Sequence, residues 1–90
     1  MAVTTPPTPE TEIAATRSLD CSGLLCPLPV YKASVALGSL AAGDVLELVC
    51  TDPGSLEDIP ALARQAGHEL LRTVEAGGTQ TFWLRKGASR

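Results

Sequence analysis

Aromatic residues are nearly absent. A single Phe, a single Trp and a single Tyr stand among 90 residues, so the interior has to be assembled from aliphatic and methyl-sized side chains rather than rings. Metal ligands are equally scarce: there is one His, and the three cysteines, Cys21, Cys26 and Cys50, contain no CxxC pair. That spacing argues against a structural zinc site, and the odd count argues against a disulfide framework and leaves at least one thiol free. Basic blocks are missing too. Seven Lys and Arg against ten Asp and Glu give a net charge of −3, which withholds the electrostatic footprint of direct nucleic-acid binding. No apolar run approaches the length of a membrane span, and no basic stretch followed by an apolar one opens the chain. The expected location is therefore the cytoplasm, where thiols stay reduced.

What is present is a hydrophobic fraction of 44%, a globular composition, in a chain short enough for one domain. Residues 1–16, MAVTTPPTPETEIAAT, carry prolines and threonines without periodicity and read as a disordered tail, leaving 17–87 as a single unit. Within it, RSLD (17–20) is a short strand. From Pro27 the apolar positions Val30, Ala33, Leu37 and Leu40 recur at helical steps, with Gly43 as the stop. VLELVCT (45–51) alternates, placing Leu46, Leu48 and Cys50 on one face, so Cys50 is expected in the core. After the turn TDPG (51–54), Leu56, Ile59, Leu62, Ala63 and Ala66 form a second helical face closed by Gly67. Pro60 is expected in the first turn of a helix capped by Asp58, the alternative being a helix that starts near 54 and kinks. Two further strands, 68–75 and 79–85, are joined through Gly77 and Gly78 as a hairpin. The order β-α-β-α-β-β, with right-handed crossovers, predicts an α/β two-layer sandwich: a four-stranded mixed sheet with both helices on one face.

The chemistry concentrates in SLDCSGLLCPLPVYKA, residues 18–33. Prolines near the start of a helix cost no hydrogen bond, because the first N–H groups have no intrahelical partner, so Pro27 and Pro29 mark a helix start. Cys26 then sits at the N-cap or immediately beside it, at the positive end of the helix dipole, with the N–H groups of Leu28 and Val30 nearby. Such a setting lowers a thiol from its ordinary value of about 8.5 and favours the nucleophilic thiolate. The turn at Ser22 and Gly23 places Cys26 in a loop leaving the sheet, hence exposed. A buried structural cysteine is the competing reading, although Ser, Thr or Asp would cap better.

The motif resembles that of the TusA family of sulfur carriers, also called SirA-like or YhhP-like: Leu19 and Asp20, Gly23 and Leu24, then Cys26, Pro27 and Pro29 as Cys-Pro-x-Pro. The resemblance continues through Gly43 and Asp44, Asp52 and Pro53 in TDPGS, Asp58, Ile59 and Pro60, and Gly67, His68, Glu69 and Leu70, covering about residues 18–86. It implies the same two-layer fold and a persulfide on Cys26. Sulfane sulfur would come from a cysteine desulfurase or a rhodanese and pass to a cysteine of an acceptor protein, with no cofactor beyond the covalent sulfur. The resemblance thus leads one to expect a transfer intermediate rather than an enzyme with small-molecule turnover. Leu25 and Leu28 stand where the branch feeding tRNA thiolation has an arginine and a glutamate, so CPLP with TDPGS looks closer to branches of oxidative sulfur metabolism or general sulfur trafficking.

Around Cys26, Gly23, Pro27 and Pro29 are expected to present the thiol, and Asp52 to orient a partner or simply to serve the turn. Lys32, one turn on, is a solvated charge or an attractor of an anionic persulfide. Trp83, on the sheet face away from the helices, is a docking candidate if exposed, or a half-buried residue against Val45 or Val49. Lys86 is expected to be a solvated charge. Cys21, at the end of the first strand, is a partly buried residue without chemistry or a candidate second thiol, which would make a thiol-disulfide redox module with Cys26; a non-catalytic regulatory domain is the remaining alternative.

Overall fold

The computed structural model describes residues 14–88. The tail expected over 1–16 falls mostly outside them. Its last residue, Thr16, is tied to the domain, donating its N–H to Val45 O at 2.7 Å and accepting from Val45 N at its hydroxyl at 3.0 Å. In chain order the elements are β1 (Arg17–Cys21), α1 (Leu28–Gly38), β2 (Val45–Cys50), α2 (Ser55–Ala66), β3 (Glu69–Ala76) and β4 (Thr79–Arg85).

The strands form one sheet in the order β1-β2-β4-β3, with β1 parallel to β2 and β4 antiparallel to both its neighbours. Register aligns the apolar alternation across strands: Leu19, Leu48 and Phe82 form one row, and Cys21, Cys50 and Gln80 another. On that side Leu46, Leu48, Cys50, Phe82 and Leu84 meet Ala33, Ala36 and Leu37 of α1 and Ile59 and Ala63 of α2 in one cluster. Both helices therefore cover the same face, as the alternation requires: each buried Leu, Ile or Phe adds about 1.5–3 kcal/mol only if its whole row is covered. The β3–β4 hairpin closes through Gly77 and Gly78 at φ +61° and +83°, the left-handed pair a two-residue turn needs.

Two expectations about the helices change. α2 begins at Ser55, with Gly54 as N-cap, and Pro60 lies inside it. The TDPG turn itself nucleates the helix, since Ser55 N donates to Asp52 O, Leu56 N to Pro53 O, and Glu57 and Asp58 N to Gly54 O, all at 2.9–3.1 Å. Starting there buries Ser55 and Ile59 and packs Leu56 on the core, which outweighs the donor that Pro60 cannot offer to the Leu56 carbonyl. α1, in turn, stops at Gly38. Its C-terminal end is met from the far end of the sequence: Lys86 Nζ donates to Leu37 O, in the last turn, at 2.6 Å and to Leu40 O, just past the helix, at 3.0 Å. Lys86 is thus a helix cap rather than a solvated charge, its cation placed at the negative end of the helix dipole.

Candidate functional site

The segment between β1 and α1 is held from both ends. Behind β1, Asp20 Oδ1 accepts from Ser22 N at 2.9 Å and Ser22 Oγ at 2.6 Å, bonds that hold its carboxyl below the usual value. Gly23 turns the chain at φ +80° and donates its N–H to Thr51 Oγ1 at 2.8 Å, which ties the loop to the end of β2. Pro27 is the N-cap of α1, joined to Cys26 by a cis peptide bond, and Pro29 is the buried second residue of the helix. Cys26 is therefore the residue just before the cap, and its thiol is exposed.

Two carboxylates meet this cysteine. Asp52 Oδ2 accepts the Cys26 N–H at 2.7 Å while its other oxygen accepts from Gly54 N at 3.3 Å, so one side chain pins the Cys26 backbone to the turn before α2. Asp58, in the first turn of α2, accepts from the Cys26 thiol, with Oδ2 at 2.6 Å from Sγ. The bond to Asp58 pushes the thiol above its ordinary value, with desolvation and the charges of Asp58 and Asp52 acting the same way. This reverses the expectation of a thiol lowered by the helix terminus. A helix end carries about half an elementary charge, two carboxylates carry more, and the Leu28 N–H expected to be free is bonded to Leu25 O at 2.9 Å.

Sγ opens onto a groove of about 380 Å³ between the helices, lined by Cys26, Pro27, Val30, Asp58, Ala61, Leu62 and Gln65. Beside it, Leu25 is 70% and Leu28 47% exposed, and Tyr31 and Val35 continue the apolar surface along the outer side of α1. Helical periodicity picks out only the inward row of α1. The second apolar row escapes it, because apolar side chains at both phases blur a single face.

Other candidates lie elsewhere. Cys21 is fully buried, in register with Cys50 in the core, and burial raises both thiols. That leaves no solvent-facing second thiol at Cys21, which goes against the redox-module alternative. Lys32 lines a separate groove with Arg17, Tyr31 and Val35, and its charge lowers Cys21 rather than figuring among those acting on Cys26. Trp83 is on the sheet face away from the helices, between Glu47 and Arg72 in register, but only 5% exposed, so its indole offers no docking surface. His68 stands at the start of β3, accepting Gly87 N at Nδ1 at 3.0 Å.

A protein-family model described as "Sulfurtransferase TusA" matches residues 17–86. The chain belongs to the TusA family. It is 44% identical over 70 residues to the sulfur carrier protein TusA of Allochromatium vinosum, covering 78% of this chain and 92% of that protein. To the putative sulfur carrier protein YrkI of Bacillus subtilis it is 38% identical over 69 residues, 77% of this chain and 92% of the relative. Among solved structures, a SirA-like protein of Desulfitobacterium hafniense superposes with a TM-score of 0.71 at 24% identity, over 80% of this chain and 99% of that one, which speaks to the shared fold. In TusA-family terms the described site is the Cys-Pro-x-Pro segment. To it the structure adds Asp58, which the sequence offers as a helix cap and as part of the resemblance but not as a partner of Cys26, since nothing local shows a carboxylate reaching Sγ from 32 positions away.

Proposed function

We propose that this TusA-family protein is a sulfur carrier that holds sulfane sulfur as a persulfide on Cys26. It accepts the atom from the persulfide of a donor protein, a cysteine desulfurase or a rhodanese, and relays it to a cysteine of an acceptor. The observation that carries this reading is a single exposed thiol at the start of α1, open to a groove and bordered by exposed Leu25 and Leu28. A carrier needs that combination: a reachable sulfur atom, and an apolar surface on which two partners can dock in turn. Because the cargo is bound covalently, the chemistry asks for no metal, flavin or nucleotide, and it runs in the reducing cytoplasm. Among the described residues, no helix is long and apolar enough to cross a membrane.

Intact-protein mass spectrometry tests this. The reduced protein is incubated with cysteine and a desulfurase, or with thiosulfate and a rhodanese, and then mapped by peptide. The expected result is a gain of one sulfur atom on Cys26 that reductant reverses and Cys26→Ser abolishes. No gain with either donor, or a disulfide between Cys21 and Cys26 in its place, would overturn the assignment.

A further inference from the structure

We propose that Asp58 is the proton shuttle of the Cys26 site: its carboxylate takes the thiol proton when sulfur is loaded and returns it to Cys26 when sulfur leaves. The proposal rests on the carrier reading above and on geometry. Asp58 Oδ2 is 2.6 Å from Sγ, the atom at which a bond forms on loading and breaks on discharge, and both face the same groove. A group that exchanges a proton with a reacting atom must lie within direct hydrogen-bond reach of it, and Asp58 does.

The two half-reactions balance around it. On loading, the Cys26 sulfur attacks the outer sulfur of the donor's persulfide, R–S–SH. The donor's S–S bond breaks with its electron pair left on R–S⁻, a new S–S bond forms on Cys26, and the Cys26 proton moves to Asp58. The donor sulfur is reduced and Cys26 is oxidised by the same two electrons, so no outside oxidant is needed. On discharge, an acceptor thiolate attacks the outer sulfur of the Cys26 persulfide. The bond to Sγ breaks with its pair on Sγ, and Asp58 gives back the proton, leaving Cys26–SH and a carboxylate ready for the next cycle. A leaving thiolate beside two carboxylates would be repelled by both, and protonation as it leaves removes that penalty. Asp52 is directed to the backbone, accepting the N–H groups of Cys26 and Gly54, and it is Asp58 that the thiol meets. The charged groups that act on the thiol come from the β2–α2 turn (Asp52) and α2 (Asp58), and among the described residues no cation is counted against them.

The test is independent of the natural donor and acceptor. Wild type, Asp58→Asn and Asp52→Asn are loaded with inorganic polysulfide, and discharge to cyanide is followed as thiocyanate release across pH. Asp58→Asn is expected to discharge about a hundredfold more slowly near neutral pH, the low end of what a placed proton donor supplies. Asp52→Asn should change the discharge rate far less. Wild-type discharge should also slow in deuterated buffer, a reading that needs no variant to fold. Equal discharge rates for wild type and Asp58→Asn, or no solvent isotope effect in wild type, would overturn the shuttle while leaving persulfide loading intact. Failure of a desulfurase or rhodanese to load Cys26 would instead count against the carrier reading alone.

Discussion

Three thiols in one small domain are separated by their surroundings rather than by their chemistry. Cys21 and Cys50 face the core from neighbouring strands, and burial penalises their thiolates. Cys26 is exposed, and its thiol is held protonated by hydrogen bonding to Asp58. Reactivity toward an alkylating agent needs both thiolate and access, so the two kinds of restraint have different signatures. Iodoacetamide on the native protein is expected to modify Cys26 only, at a rate that climbs through the alkaline range, while Cys21 and Cys50 react only after denaturant is added. Mass spectrometry counts the adducts; a second adduct under native conditions would mean that the strand ends open far more readily than their burial allows. A persulfide carrier benefits from such restraint, because a thiol that stays protonated at rest oxidises slowly.

At the scale of elements, α1 serves two sides. Its inner row, Ala33, Ala36 and Leu37, is core, and Pro29 is buried with it. Its outer row, Leu28, Tyr31 and Val35, faces solvent, with Leu28 two positions from Cys26. Exposed apolar residues that contribute nothing to folding are free to contribute to recognition. Leu28→Ser is therefore expected to leave the unfolding free energy within about 0.5 kcal/mol of wild type and to leave polysulfide loading of Cys26 unchanged. Sulfur transfer from a donor protein should nonetheless drop about tenfold, the loss of one modest interface anchor. Transfer kinetics with purified donor would show this, and an undiminished rate would move the docking surface away from α1. The helix also illustrates how distant residues complete an element, since the cation at its C-terminal end is Lys86, after the last strand.

For the molecule as a whole, stability should depend on pH at both ends of the range, for reasons of opposite sign. His68 is shifted below its ordinary value of about 6.5 by burial first and by the Lys86 charge second. Below that value the unfolded chain binds the proton more readily than the folded one, so stability is lost as pH falls, and protonation also removes the acceptor for Gly87 N. The buried thiols of Cys21 and Cys50 are shifted upward. Their contribution is complete below the ordinary thiol value of about 8.5 and declines as pH rises through their folded values. Urea midpoints measured from pH 5 to 10 should accordingly pass through a plateau near neutrality, and His68→Gln should flatten the acid side without altering the alkaline one. An acid slope that survives His68→Gln would assign it to the carboxylates.

Much of this architecture is local and therefore legible in the sequence. The alternation of 45–51, the helical spacing after Pro27 and the Gly77–Gly78 turn each depend on neighbours a few positions apart, and so does the placing of Cys26 at a helix start. The element order then limits the topology to a two-layer sandwich. Other features depend on which residues the sheet and helices bring together. Pro60 lies inside α2 because the core rewards burial of Leu56 and Ile59, a term no propensity contains. Trp83 is covered despite sitting on the sheet's outer face, and Lys86 reaches the end of α1. Most consequentially, the charge state of Cys26 was decided by tertiary structure. A sequence shows the helix terminus that would favour a thiolate, whereas the carboxylate that keeps the proton arrives only when α2 folds against α1, and at 2.6 Å a full charge outweighs a dipole's end.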